Sequence, residues 1–239
     1  MAPQGGRTRM IMPHPVSQLG LESPNDEMAQ LKRLDANTVF MMGDNPALPA
    51  MPERPTLLDF FRLRFGDITY RHLLSSAKLA LDAGHSETVV MACLLHDIAN
   101  GALIRADHGY WGAQLIAPYV SEEVTWAVRY HQALRYFADE AAGYAYPESY
   151  RRFFGPDYVP PDYIQRDHQI ARAHRWYMSA RQVTVYDIYS FDDRQLAFAP
   201  EIFTDIIGRN FKQPPEGLGF DNSPTAHMWR TMIWPNNFL

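Results

Sequence analysis

The chain has 239 residues, a length that suits one large domain with extensions and is ample for a full hydrophobic core. Its formal net charge is -5 and its pI is about 6.0, with no basic run, which argues against a nucleic-acid partner. One cysteine, Cys93, excludes an intrachain disulfide and favours a reducing, cytoplasmic location. No apolar stretch approaches the ~20 residues of a membrane span and no secretory signal is visible, so no membrane association is expected.

Composition divides the chain into three parts. Residues 1–55 contain repeated prolines, which interrupt long helices, so we expect an irregular arm that wraps the domain or a neighbouring subunit and makes a homodimer conceivable. Residues 56–212 carry helical patterns. Residues 213–239 contain Pro and Asn turns and predict an extended tail packed on the surface of the domain. Because no apolar–polar alternation is long enough for a sheet, the predicted fold class is an all-α helical bundle.

The first two helices of the domain are indicated by their end signals. Thr56 predicts the N-cap of the first helix. The second helix begins at Asp67 or Thr69, carries His72 and ends at Gly84. Glycine suits such an end because it readily adopts the left-handed conformation that closes a helix.

The third predicted helix ends in a pair of ionisable residues. Ser86 is a good N-cap, and residues 89–95 are apolar on every side, which is typical of a buried helix. His96 and Asp97 follow directly. An imidazole beside a carboxylate at the edge of a core is costly unless something pairs with both, and a metal ion satisfies both at once. The alternative is a satisfied core histidine followed by a capping aspartate.

Two further histidines lie on the next two predicted helices. His108 opens a helix that runs through Leu115, and Ser121 is the N-cap of the helix that follows. His131 occupies the last position of an i, i+3, i+4, i+7 stripe that begins at Val124, so its side chain is predicted to face the core.

A last carboxylate follows the same periodicity. Asp187 ends an inward stripe that begins at Ala180. The chain thus presents ligand-type side chains in the order H…HD…H…H…D, on inward faces of separate helices, as a metal-centred bundle requires. Between Ala141 and Pro161 the chain is aromatic, contains prolines and is predicted to be irregular, either as a lid or as a packed connection.

This order of residues resembles the six-ligand pattern of the HD-domain superfamily, over about residues 68–190. Residues 124–131, followed by Arg135 and Tyr136, look like the "VTEPVRLH…KRY" segment of its mixed-valent di-iron oxygenase branch, which cleaves phosphonates. Myo-inositol oxygenase is a more distant relative of that branch. The resemblance implies an HD-domain helical bundle around a dinuclear metal site.

The resemblance also implies a ligand set. One metal would be bound by His72, His96, Asp97 and Asp187. Asp97, the implied catalytic carboxylate, would bridge to a second metal held by His108 and His131. The implied cofactors are two iron ions in the mixed-valent Fe(II)/Fe(III) state, with other divalent metals such as manganese as alternatives, since imidazole and carboxylate suit these ions.

Three residues are candidates for binding the substrate. Arg135 lies one turn beyond His131 on the same face and could hold an anionic group; its alternative role is an i, i+4 salt bridge with Asp139. Asn100 could donate a hydrogen bond in the pocket or end a helix as its C-cap. Arg105 is a candidate second clamp.

Three functions fit these residues. The resemblance implies a di-iron oxygenase that uses O2 to oxidise and cleave a small hydroxylated, anionic substrate, similar to an organophosphonate or a polyol. The alternative enzyme is a dinuclear metal-dependent phosphohydrolase of the same superfamily, although hydrolytic members often read His-Asp-x-Gly-Lys and this chain has no such lysine. A non-enzymatic assembly module is disfavoured because an unused set of buried ionisable groups would only cost stability.

Overall fold

The computed structural model describes residues 49–65, 67–99, 107–189 and 199–233. Within these ranges the chain is helical, and its one β-type pairing is an isolated bridge between Asp139 and Tyr144, which confirms the all-α class. The helices are α1 (Leu57–Arg64), α2 (Asp67–Asp82), α3 (Glu87–Leu95), α4 (His108–Ile116), α5 (Glu122–Leu134), α6 (Glu148–Phe154), α7 (Asp162–Ala173), α8 (Tyr177–Tyr189), α9 (Thr204–Asn210) and α10 (Ala226–Ile233). Two short 3-10 helices cover Glu140–Ala142 and Pro200–Phe203.

Three of the four predicted end signals are found at the ends of these helices. Thr56 forms a capping box at α1, in which its hydroxyl accepts from the Asp59 backbone N–H and its own N–H donates to the Asp59 carboxylate. Gly84 follows α2 with a φ of +77°, in the left-handed region. Ser121 caps α5 by accepting from the Val124 N–H. Ser86 precedes α3 as expected, but its side chain makes no capping hydrogen bond.

Helix α3 lies at the centre of the domain. Every residue from Val89 to Leu95 is buried, and the helix packs against α2, α5 and α8. An evenly apolar helix needs neighbours on all sides. The residues that follow α3 therefore emerge at the junction of four helices, and this position brings His96 and Asp97 to the site.

A close approach of α4 to α5 depends on Gly109. A Cβ atom built there would stand 2.9 Å from the Arg129 carbonyl oxygen and 3.0 Å from that of Val128. We expect Gly109→Ala to lower the free energy of unfolding by about 1–3 kcal/mol, because α4 must move away from α5. Thermal and urea unfolding would measure this loss.

Gly208, an exposed glycine of α9, supplies the matched control. Nothing lies within 4 Å of a Cβ built there. Gly208→Ala is therefore expected to raise stability by about 0.5–1 kcal/mol, since alanine favours a helix over glycine. Equal effects of the two substitutions would contradict the close approach at Gly109.

Two expectations about irregular segments are wrong. Residues 141–161 include helix α6, and the expected extended tail contains helix α10. Trp229 of α10 is fully buried, and its indole N–H donates to the Leu115 carbonyl at 3.2 Å. Nearby prolines and asparagines obscured the helical spacing of Ala226, Trp229 and Ile233, all of which are buried. Most of the predicted arm, residues 1–48, lies outside the described residues.

None of the described helices combines the length and the apolar character that crossing a membrane requires.

Candidate metal centre

Six buried ligand-type side chains converge between the helices. Each is no more than 6% exposed. They are His72 on α2, His96 and Asp97 directly after α3, His108 at the start of α4, His131 on α5 and Asp187 on α8. The structure therefore brings together all six residues that the sequence singled out.

The first group surrounds the imidazole of His72. Its Nε2 atom lies 3.0 Å from Nε2 of His96, 3.3 Å from Oδ1 of Asp187 and 3.6 Å from Oδ2 of Asp97. Nε2 of His96 is 3.7 Å from Oδ1 of Asp187. Two imidazoles and two carboxylates thus direct their donor atoms at one point.

The second group surrounds the other oxygen of Asp97. Oδ1 lies 3.0 Å from Nε2 of His108 and 3.7 Å from Nε2 of His131, and these two nitrogens are 3.1 Å apart. Because Oδ2 faces His72 while Oδ1 faces His108 and His131, the Asp97 carboxylate lies between the two groups. A carboxylate in this position can bridge two metal ions.

An unusual backbone conformation introduces His108. Asp107, the residue before α4, has a φ of 55°, the one positive φ at a non-glycine residue among those described. Non-glycine residues pay a steric cost in this left-handed region, so such a conformation at a site of buried ligands is consistent with a functional constraint. It turns the chain so that the first side chain of α4 points into the bundle.

Two of the imidazoles are held in one tautomer. Nδ1 of His96 donates to the Cys93 carbonyl at 2.7 Å, and Nδ1 of His131 donates to the Val128 carbonyl at 2.6 Å. A carbonyl oxygen can only accept, so in the neutral ring the proton is on Nδ1 and the Nε2 lone pair faces the centre. This backbone support is typical of metal-binding histidines.

The donor set fits metal ions in spacing as well as in chemistry. Protein ligands bind first-row metals at roughly 2.0–2.2 Å, so neighbouring donor atoms around one ion are about 3 Å apart or slightly more. The contacts of 3.0–3.8 Å within each group match that spacing. His72, His96 and Asp97 form one candidate triad, and Asp97, His108 and His131 form another. Imidazole and carboxylate donors suit iron, manganese and zinc.

Both carboxylates are ionised at neutral pH. Burial alone would raise the pKa of Asp97, but the neighbouring imidazoles of His96 and His108 hold it well below its usual range. Burial likewise opposes ionisation of Asp187, but the Arg135 guanidinium and the imidazoles of His72 and His96 together outweigh it, so this pKa is also well below normal. Both carboxylates are therefore available as anionic ligands for cations.

The burial of His131 predicts a pH-dependent stability of the metal-free protein. Burial lowers the pKa of His131 from 6.5 to about 4. Between these values the unfolded chain binds a proton that the folded chain does not, so the stability is complete above pH 6.5 and declines as the pH falls towards 4. We expect a loss on the order of 2–3 kcal/mol over this window, measured by urea unfolding of metal-free protein.

The His131→Gln variant is the control for this prediction. Its unfolding free energy should vary less steeply between pH 6.5 and 4 than that of the wild type, because residue 131 then cannot titrate. Parallel pH profiles for the two proteins would count against a neutral, buried His131.

Of the three predicted substrate-binding residues, the structure describes one. Arg135 is at the centre, with Nε 3.4 Å from Oδ2 of Asp187 and 2.5 Å from the hydroxyl of Tyr150. It does not pair with Asp139, the alternative partner, whose carboxylate instead accepts hydrogen bonds from Tyr177 and the Ala142 N–H. Asn100 and Arg105 lie outside the described residues.

A cavity of about 530 Å³ opens beside the centre. His108 connects it to the candidate metal ligands, and Arg135 and Tyr150 form part of its wall. Sequence reasoning missed Tyr150, for which the only signal was the dense aromatic composition of residues 141–161. The arrangement can hold two metal ions in a buried anionic site, next to a space large enough for a small substrate with an anionic group.

Part of the chain matches a known protein family. Residues 69–149 match the HD domain, a segment that contains His72, His96, Asp97, His108 and His131, while Asp187 lies beyond it. A comparison with curated proteins gives no match. The HD domain and the His/Asp cluster together support a metal-dependent enzyme.

Proposed function

With an HD domain at residues 69–149 as the premise, we propose that the protein is a di-iron oxygenase. It would use O2 to oxidise and cleave a small hydroxylated, anionic substrate, similar to an organophosphonate or a polyol. The observation that carries the proposal is the position of the Asp97 carboxylate, whose two oxygens face two groups of imidazoles. This carboxylate lies beside a cavity that is lined in part by Arg135.

The donor set supports iron. Four imidazoles and two carboxylates form a mixed nitrogen and oxygen environment without thiolate, which suits iron in both of its common oxidation states. Manganese suits the same donors and is the second candidate. When bound, the metal pair supplies the one-electron and dioxygen chemistry that amino-acid side chains cannot.

The chain's own residues bind and orient the reactants. His96 and His131, fixed by backbone carbonyls, hold their Nε2 lone pairs towards the centre. Arg135 places a permanent positive charge at the inner wall of the cavity, where it can hold an anionic group of the substrate beside His108. Tyr136, Tyr150 and Phe154 line the same cavity and give part of its wall an aromatic surface.

The dinuclear phosphohydrolase is the second candidate. The specific observation in its favour is that a carboxylate between two imidazole groups would hold two divalent ions equally well, and such a pair can activate water and stabilise a leaving oxygen. The sequence after the His-Asp pair, Ile98-Ala99-Asn100, lacks a lysine that would contact a phosphate. We therefore place this function second.

The deciding experiment is an EPR titration of the iron-reconstituted protein from the oxidised to the partly reduced state. A coupled Fe(II)/Fe(III) signal that changes on addition of small hydroxy-phosphonates or polyols would support the oxygenase. Absence of that state, together with manganese-supported activity on phosphate esters, would replace it with the phosphohydrolase. The Asp97→Ala variant is the control, because any signal that it retains arises from iron bound elsewhere.

A further inference from the structure

Helix α6 covers the cavity but is weakly attached to the domain. None of its residues is buried, in contrast to every helix around the metal centre. Its contacts are mainly between aromatic rings: Tyr150 and Phe154 lie 6.2 and 6.0 Å from the ring of Tyr136, and Phe154 stacks on Tyr158 at 4.6 Å. Such a helix can shift on its aromatic contacts without disturbing the core.

One polar contact connects α6 to the metal centre. Nε of Arg135 donates to the hydroxyl oxygen of Tyr150 at 2.5 Å, and the Arg135 Cζ atom lies 5.4 Å from the centre of the Tyr150 ring. In this contact the phenol oxygen accepts, so the proton of the hydroxyl remains available for donation elsewhere. Tyr150 lines the cavity, and a donor on that wall faces the space where a substrate would bind.

Arg135 also retains donors for a ligand. Both of its contacts, with Tyr150 and with Asp187, are made by Nε. Among the described residues, neither terminal nitrogen of its guanidinium has a hydrogen-bond acceptor. The backbone carrying this side chain is held in place, since the hydroxyl of Tyr144 donates to the Arg135 carbonyl at 2.8 Å.

The Tyr150 hydroxyl remains protonated at neutral pH. Burial raises the pKa of Tyr150 to about 12, although the neighbouring Arg135 acts in the opposite direction. A protonated phenol polarised by a guanidinium is a strong hydrogen-bond donor.

We propose that Tyr150 is a substrate-binding residue that forms, together with Arg135, a two-donor subsite for an oxyanion. The terminal nitrogens of Arg135 bind one oxygen of a phosphonate, phosphate or carboxylate group, and the Tyr150 hydroxyl donates to another. The inference rests on the anionic substrate of the proposed function and adds a second recognition element to it.

The experiment measures anion binding rather than turnover. Methylphosphonate is titrated by calorimetry into metal-loaded wild-type protein and into Tyr150→Phe, which keeps the ring and loses the hydroxyl. A hydrogen bond to a charged group contributes enough for a loss of affinity of roughly tenfold or more in Tyr150→Phe. Tyr146→Phe is the matched control, because Tyr146 contacts the Tyr150 ring at 5.9 Å but does not line the cavity. Its affinity should equal that of the wild type.

A second measurement is made on the wild-type protein and uses the variant only to assign one resonance. In wild-type protein with 13C-labelled tyrosine rings, the Tyr150 resonance, assigned by its loss in Tyr150→Phe, should shift on saturation with methylphosphonate. Equal affinity of Tyr150→Phe and wild type, no binding by the wild type, or an unshifted Tyr150 resonance would each overturn the subsite. Retained binding at Tyr150 in a protein without oxygenase activity would remove the oxygenase proposal only.

Discussion

Asp97→Ala is expected to release most of both metal ions, because one side chain faces both candidate triads. Oδ2 is directed at His72, and Oδ1 lies 3.0 Å from His108. Loss of a residue that only supports a ligand typically lowers metal affinity by about 10–100-fold, and loss of a shared ligand should exceed that range. Catalysis should fall with the metal content.

The metal content of purified Asp97→Ala protein, measured by mass spectrometry, tests this directly. Asp82→Ala is the control, since Asp82 is an exposed carboxylate that pairs with Lys78 on the outside of α2. It should bind as much metal as the wild type. Full metal occupancy in Asp97→Ala would refute the shared carboxylate and with it the dinuclear centre.

Arg135→Ala is expected to lower kcat/KM for an anionic substrate by about 10–100-fold. Charge-assisted hydrogen bonds of the kind that Arg135 offers contribute roughly 1.5–3 kcal/mol. The substitution also removes the guanidinium that lowers the pKa of Asp187, so this carboxylate becomes easier to protonate. Binding of metal to the first group should therefore weaken as the pH is lowered.

Steady-state kinetics of three variants distinguish the contribution of the positive charge of Arg135 from that of its planar guanidinium group. Arg135→Lys keeps the charge but loses the planar fork, so its kcat/KM should lie between those of wild type and Arg135→Ala. Arg151→Ala removes an exposed arginine of α6 and should have no effect. Unchanged kinetics in Arg135→Ala would exclude this residue from substrate binding.

Helical periodicity predicted which ligands face inward. The stripes ending at His131 and Asp187 are buried along their length, because an amphipathic helix can bury only one face against its neighbours. Periodicity does not show which helices meet. The spacing of the two triads therefore had to come from the structure, or from the family resemblance.

The partner of Arg135 could not be predicted by the same reasoning. An i, i+4 pair with Asp139 requires the helix to continue, but α5 ends at Leu134 and the chain turns before Asp139. Arg135 is therefore directed at Asp187, a residue distant in sequence. Tyr150 was missed for a related reason, since α6 is a seven-residue helix in a segment whose prolines and aromatic residues gave no amphipathic pattern.

The order of the ligands along the chain has a consequence for synthesis on the ribosome. Asp97 directly follows α3, and His108 and His131 belong to α4 and α5, the latter of which packs against both α3 and α4. Asp187 belongs to α8, which is made later and packs against α2, α3 and α5. A nascent chain could thus capture an ion in the second group while the first still lacks the Asp187 carboxylate. The two ions would then be acquired in a fixed sequence, and the late arrival of α8 would determine when the pair is complete.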